Sequence, residues 1–318
     1  MKYTVLVTGV GAIIGYGIIE SLRRSKHSVR VVGIDIYDHA YGKFLADAFH
    51  QGVLASSDKY PEFINSIIEK EKVDLIIPGI EQDLYALHKY KELIQCPVVM
   101  NSDLNIELSK SKLATYQYFR DNSGIALIPT LYGEDYNSCV TELGSPFLLK
   151  PISSYASKGI EKIYSEKEFD FFTDRIGGKC VFQKITGTID SEYTISIFGD
   201  GHGGFFDSII LKRYLSQEGA TSRARVVEDR AVSDYVSEIV KFLKPVGPTN
   251  IQVRTEGGVP YLLEVNPRIS SACSLRTVFN YNEPEMCVSY YLSKEPISRK
   301  EKKMGIATRF ISDHIEYE

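Results

Sequence analysis

Over the first 108 residues, short apolar runs alternate with stretches of helical spacing: YTVLVTG, a helix to Arg24, VRVVGID, a helix from Tyr60 to Lys72, VDLIIPG, a helix near Leu84 to Leu93, then CPVVMN. A strand that is apolar at every position needs cover on both faces, which is the situation of a parallel sheet with crossover helices. The rhythm therefore predicts an α/β domain over 1–108. From SKSKLATYQYFRDN the texture changes to a compact α+β module, expected over 109–187. From 188 to 318 β-branched and aromatic runs dominate, as in EYTISIFG, GGFFDSIILKR and TNIQVRTEGGVPYLLEVN, with one amphipathic helix at Arg230 to Leu243. This last pattern predicts a mainly antiparallel sheet with helices on one side, and 318 residues suit two or three such modules.

Charge and cysteine usage exclude several classes of function. A net charge of −4 gives no bulk attraction for nucleic acid or an anionic membrane. No run of about 18 apolar residues is present to span a bilayer. The opening MKYTVLVTGVGAIIGYG lacks the uncharged core and small-residue cleavage site of a signal peptide. Five widely spaced cysteines without a CxxC pair argue against a disulfide framework or a zinc site. The expectation is a cytoplasmic protein with small-molecule substrates and neither nucleic acid nor membrane as partner; a homodimer is allowed for.

LVTGVGAIIGYG sets Gly9, Gly11, Gly15 and Gly17 between a strand and a helix, with Asp35 at the end of the second strand. Glycines permit a tight turn, helix N–H groups face an anion, and the acidic side chain suits a ribose, so an NAD(P)-dependent reductase is one reading. The spacing departs from GxGxxG, because three residues separate Gly11 from Gly15 where two are expected. The alternative is that the glycines only let the strand pass closely into its helix.

YLLEVNPRIS, residues 261–270, places a carboxylate at Glu264 and an amide at Asn266 on one face of a strand, about 6.6 Å apart. Leu263 and Val265 then point to the other face. The upstream run TNIQVR is an expected partner strand that offers Gln252 and Arg254 on one face. Three oxygen donors, Gln252, Glu264 and Asn266, suit a hard cation that is held by one or two carboxylates and completed by substrate phosphates. The competing reading is a structural ion pair between Glu264 and Arg254 or Arg268.

NIQVRTEGGVPYLLEVNPRIS resembles the metal-binding strand pair of the ATP-grasp superfamily, and within it is most similar to the carbamoyl-phosphate synthase large-subunit type, here with room for a single grasp unit. The resemblance implies an ATP-grasp fold: an N-terminal Rossmann-like (pre-ATP-grasp) domain, a small α+β lid and a C-terminal antiparallel-sheet domain carrying the metal site. It implies ATP and two Mg2+ ions, with Mn2+ as a substitute, held by Gln252, Glu264 and Asn266. Arg268 would stabilise the transferred phosphoryl group, and LKRYLSQEGATSRARVV offers Lys212, Arg213, Arg223 and Arg225 on strands near the phosphates or substrate, with Lys212 taken as the second catalytic cation. PFLLKPISSYASKGI resembles the lysine-plus-loop element, so Lys150 would meet phosphate and Ser153, Ser154, Ser157, Lys158 and Gly159 would form the closing loop. Lys112 would contact phosphate as well. VFQKITG resembles the hinge that reads adenine, at Gln183, Lys184 and Ile185, and Glu192 matches the glutamate that holds the ribose, with Asp190 in reserve. Glu81 and Arg223 are candidate substrate contacts.

These residues together imply an ATP-dependent carboxylate–amine (or thiol) ligase that works through an acyl phosphate and releases ADP and phosphate. Its rivals are the reductase and a non-catalytic ATP-binding regulatory protein.

Overall fold

The computed structural model describes residues 2–153, 159–216, 221–310 and 313–315. The first unit comprises β1 (Tyr3–Thr8), α1 (Ile13–Arg23), β2 (Val29–Asp35), β3 (Ala48–Gln51), α2 (Tyr60–Glu71), β4 (Leu75–Ile77), α3 (Glu81–Lys89) and α4 (Asp103–Ser109). Its sheet is parallel throughout, in the order β3-β2-β1-β4, and Val98 adds an isolated parallel bridge to Ile76. Val5, Leu6, Val7, Val31, Val32, Leu75, Ile76 and Ile77 are all buried, as strands covered on both faces require.

The second unit comprises α5 (Lys112–Asn122), β5 (Thr130–Leu131), α6 (Tyr136–Leu143), β6 (Phe147–Pro151), β7 (Glu161–Ile163), α7 (Glu166–Arg175) and β8 (Cys180–Gln183). Its antiparallel sheet runs β5-β8-β6-β7 and has its own small core of Phe147, Phe169 and Phe182 with Cys139 and Leu143. The third unit is a six-stranded sheet in the order β13-β12-β9-β10-β11-β14. Its strands are β9 (Glu192–Asp200), β10 (Phe205–Leu215), β11 (Thr221–Val226), β12 (Val246–Glu256), β13 (Val259–Asn266) and β14 (Ile306–Thr308), every pair antiparallel. The helices are α8 (Arg230–Leu243), α9 (Cys273–Thr277) and α10 (Glu283–Val288).

Helix α8 shows how the sequence builds one face of this unit. Val232, Tyr235, Val236, Ile239, Val240 and Leu243 recur at helical spacing and are buried. They pack on Ile195, Ile197, Ile251 and Val253. Asp229 caps the first turn by accepting from the Val232 N–H at 3.1 Å, and Lys244 ends the helix in the left-handed region. Each buried aliphatic side chain contributes about 1.5–3 kcal/mol.

Two packing facts cut across the expected module limits. Helix α5, expected in the second module, packs on the third: Phe119 is buried among the α8 core residues and the Tyr118 hydroxyl donates to the Phe242 carbonyl at 3.1 Å. The opposite face of the large sheet has no core of its own. Phe198, Ile209, Leu211 and Ala224 join Val5, Val7, Ile18 and Cys273 in one apolar cluster that spans the first and third units. The small sheet alone is packed as a separate body. Cys139, Cys180, Cys273 and Cys287 are buried free thiols, while Cys96 is half-buried.

Candidate active site

Strands β12 and β13 pair with Asn250 opposite Asn266 and Gln252 opposite Glu264. Ile251 and Val265, between those rungs, turn into the α8 core, so both polar pairs face the first unit. Beyond Glu264 the register slips by one, because Leu263 is the extra residue of a bulge and Val253 pairs with Leu262. As a result Leu262 joins Val265 in the core, not Leu263 as strict alternation expects.

The Glu264 carboxylate is half-buried and belongs to no ion pair among the described residues. Its one hydrogen bond is a long 3.4 Å contact from Asn266 Nδ2. Gln252 Oε1 accepts from Arg213 Nη2 at 2.9 Å, which leaves the amide oxygen a second lone pair. Arg268 donates to Glu81 Oε1 at 2.5 Å and to Asn266 Oδ1 at 3.3 Å. Glu81 is thus spoken for by Arg268, which corrects the expectation that it waits for a substrate amine.

Across from this rung, Lys150 stands at the end of β6 on the small sheet and donates to Gln183 Oε1. Its ammonium is pushed down to about 8, first by burial, then by the Arg254 and Lys112 cations, against the pull of Glu264 and Glu192. Lys150, desolvated near the Arg254 and Lys112 cations, thus faces the Glu264 carboxylate between the two sheets, a setting suited to receiving an anion.

Glu192 lies directly beneath, 3% exposed, and accepts from both Arg213 and Arg254. Burial pushes its pKa up, and the two arginines outweigh burial to hold it below the usual carboxylate range. With both oxygens occupied, Glu192 positions arginines and is not presented to a ribose, a correction to the expected role. Below it a second network is fully buried: Arg276 donates to Asn250 Oδ1 at 2.7 Å, Thr194 Oγ1 at 2.9 Å and Ser270 Oγ at 2.8 Å, and pairs with Glu283 at 3.3 Å. Arg276 and Glu283 are both 0% exposed.

The glycine turn is closed by its own chain. Asp35 Oδ2 accepts the Gly11 N–H at 2.8 Å, and Oδ1 accepts from Tyr37 N at 3.1 Å. A Cβ on Gly15 would lie 2.3 Å from the Gly9 carbonyl oxygen, and one on Gly79 2.1 Å from that of Thr8. These glycines permit close backbone packing between β1, α1 and the end of β4, and neither Gly11 nor Asp35 is left to hold a dinucleotide. The reductase reading loses its site. A cleft of about 2850 Å³ runs from Gln252, Glu264 and Asn266 past Glu81 and Tyr85 to this turn and to the C-terminal segment.

Two family profiles match this sequence: "ATP-grasp in the biosynthetic pathway with Ter operon" over residues 189–314, and "PylC-like, N-terminal domain" over residues 5–99. The chain carries an ATP-grasp domain behind a PylC-like N-terminal domain. It is 24% identical over 265 residues to the formate-dependent phosphoribosylglycinamide formyltransferase of Hahella chejuensis, covering 78% of this chain and 64% of that one. It thus spans somewhat less than two thirds of that relative. In fold it resembles the N5-carboxyaminoimidazole synthetase of Staphylococcus aureus, with a TM-score of 0.74 at 16% identity over 96% of this chain and 81% of the other. The same enzyme complexed with ADP matches at 0.74 and 17%, with the same coverage.

The remaining expected residues divide sharply. Lys212 pairs with Tyr193 on β9 and with Arg225 on β11, on the α8 face of the sheet, so it points away from the cleft. Its neighbour Arg213 faces the site instead. Arg223 is exposed beside Tyr214 on that same far face and lies outside the cleft, which removes it as a substrate contact. Lys112 opens α5 after its capping residue Ser111, near enough to Lys150 to act on its charge. Ser153 Oγ donates to the Lys110 carbonyl at 2.8 Å. Gly159 has φ +74° and abuts Pro151, a conformation that favours glycine. Ser154, Ser157 and Lys158 lie outside the described residues. In the hinge, Lys184 is exposed, its N–H bonded to the Pro129 carbonyl at 3.0 Å; Ile185 is half-buried, and the Gln183 amide donates to Thr130 at 3.0 Å.

The Arg276–Glu283 pair does not emerge from sequence reasoning as part of the site, and Arg213 stands there only as one of four candidate cations, behind Lys212. The run SIILKRYL is apolar on both faces up to Leu211, so alternation gives no ground for choosing Arg213 over Lys212.

Proposed function

We propose that this chain is an ATP-dependent carboxylate–amine (or thiol) ligase. A substrate carboxylate attacks the γ-phosphate of ATP to give an acyl phosphate and ADP, and an amine or thiol then displaces phosphate. The observation that carries the reading is the half-buried Glu264 carboxylate, unpaired beside the Asn266 amide, opposite the Lys150 ammonium on the small sheet.

The donor set fits magnesium. Among the described residues no three His, Cys, Asp or Glu side chains come together, so a dedicated all-protein cage is not the design. One carboxylate with the amide oxygens of Asn266 and Gln252 suits an ion that shares its shell with water and phosphate. When bound, magnesium would supply neutralisation of phosphate charge.

Lys150 and Lys112 hold phosphate oxygens, and Arg254 adds positive field while tethered to Glu192. Arg268, held by Glu81, is aimed for the transferred phosphoryl group. Gln183, Lys184 and Ile185 remain the hinge. An acyl phosphate must be kept from water, the task that the family resemblance gives to the run from Ser153 to Gly159. Positioning and charge neutralisation supply most of the rate in phosphoryl transfer, so no covalent residue is required. The relatives named above, a formate-dependent formyltransferase and a carboxyaminoimidazole synthetase, support the class.

The test is ADP release from Mg-ATP across a panel of carboxylates and amines, with Mg-ATP and NADPH binding measured separately. Acceptor-dependent ADP release is expected. Saturable Mg-ATP binding with no release under any pairing would favour a non-catalytic nucleotide binder.

A further inference from the structure

The two ends of the cleft differ in chemistry. The end on the large sheet is polar and charged. The other end is formed by the segment after β2, the loop after β3 and the C-terminal segment, and it displays large apolar side chains to solvent: Tyr41 76%, Leu54 59%, Phe44 40% and Phe310 83% exposed. The Phe44 ring stacks on His314 with centroids 4.1 Å apart, which brings the C-terminal segment against the first unit. Four such side chains gathered at one end of a cleft describe the wall of a binding site.

Arg309 lies in the same cleft, just past β14. One of its nitrogens, Nη2, donates to the Ser271 carbonyl at 2.6 Å, while Nε and Nη1 are shielded from water and have no acceptor among the described residues. No carboxylate among the described residues lies within ion-pair distance of it. The titratable groups that act on it are the Tyr16 phenol and the Cys273 thiol, and burial pushes the thiol's pKa up. A guanidinium in this condition calls for an anionic acceptor. The neighbouring glycine turn offers no phosphate cradle, because Asp35 has taken the Gly11 N–H and its carboxylate lines the same cleft. That carboxylate disfavours a dianionic phosphate more than a singly charged carboxylate.

We propose that this end of the cleft binds an amphipathic acid, with an anchoring carboxylate at Arg309 and a large apolar group among Tyr41, Phe44, Leu54 and Phe310. The inference rests on the ligase reading for its meaning and names the substrate class: an apolar acid, not a phosphorylated sugar.

The experiment is calorimetric titration of the full chain with L-phenylalanine, glycine and ribose 5-phosphate, each with and without a non-hydrolysable ATP analogue and magnesium. Phenylalanine and glycine carry the same charged groups, so their difference isolates the apolar contact. Phenylalanine is expected to bind at least tenfold more tightly than glycine, and ribose 5-phosphate not to saturate. Arg309→Ala should weaken phenylalanine tenfold or more and Arg309→Lys by less than threefold. Phe44→Ala should narrow the gap between phenylalanine and glycine. Equal affinity for the two amino acids, tighter binding of ribose 5-phosphate, no phenylalanine binding in either condition, or an Arg309→Ala variant of unchanged affinity with an unchanged melting temperature would each overturn the proposal. Titration of Mg-ATP alone reports on the ligase reading, so the two can fail independently.

Discussion

The glycine turn after β1 and the Gln252–Glu264 rung of the large sheet border one cleft, and each carries a carboxylate beside groups suited to a phosphate. At the turn, Asp35 folds back onto the Gly11 and Tyr37 N–H groups and closes the site. At the rung, Glu264 keeps only a long contact to Asn266 among the described residues, and Lys150 faces it from the small sheet with its ammonium desolvated. A polar cluster that satisfies itself is architecture, and one left out of balance is where a ligand belongs. The Arg276–Glu283 network, two rungs away and without solvent contact, is the extreme of the first kind.

Substitutions on either side sharpen this contrast, beginning with the largest effect. Glu264→Gln should lower ADP release by about 10²–10³-fold, the loss typical of one electrostatic contact in a transition state, with the melting temperature nearly kept. Wild-type turnover in this variant would remove Glu264 from the metal site.

Lys150 gives a pH signature. Its constant lies below the ordinary lysine value, at about 8, so the ammonium is present below that pH and is lost as pH rises through it. The ratio kcat/KM for Mg-ATP should therefore fall above about pH 8. A guanidinium does not titrate there, so the falling limb should vanish in Lys150→Arg. For stability the sign is opposite. The folded state holds fewer protons on this residue than the unfolded chain between pH 8 and the ordinary lysine range, so its contribution improves as pH rises across that window.

On the closed side, Gly15→Ala should cost about 2–3 kcal/mol of stability in chemical denaturation, because the added carbon meets a backbone oxygen that cannot yield. Asp35→Ala should cost about 1–2 kcal/mol, with two N–H acceptors lost. NADPH should bind neither wild type nor variant. Saturable NADPH binding abolished by Asp35→Ala would reverse the contrast between the two regions.

Periodicity carried much of the architecture. Three of the four apolar runs of the first 108 residues are parallel strands, CPVVMN adds only a bridge at Val98, and the helix at Arg230 to Leu243 forms with those ends, because burial on one or two faces leaves a direct imprint on residue order. The rung Gln252, Glu264, Asn266 was legible for the same reason, two polar residues at a spacing of two inside an apolar strand. Lys212, Arg223, Glu192 and Glu81 mark where that reasoning stops. Each is a charged residue in a plausible stretch, and its part depends on which face its strand presents or which arginine reaches it from elsewhere in the chain.

Local order along the chain determined which segments become strands and helices and which short run carries oxygen donors on one face, since steric alternation and helical pitch act between near neighbours. Only the tertiary structure decided which carboxylates are spent on arginines and which are left open. That outcome rests on contacts between residues 20 to nearly 200 positions apart, as with Glu192 and Arg213 or Glu81 and Arg268. Charge balance is a sum over everything brought near, and proximity of that kind is a property of the folded chain.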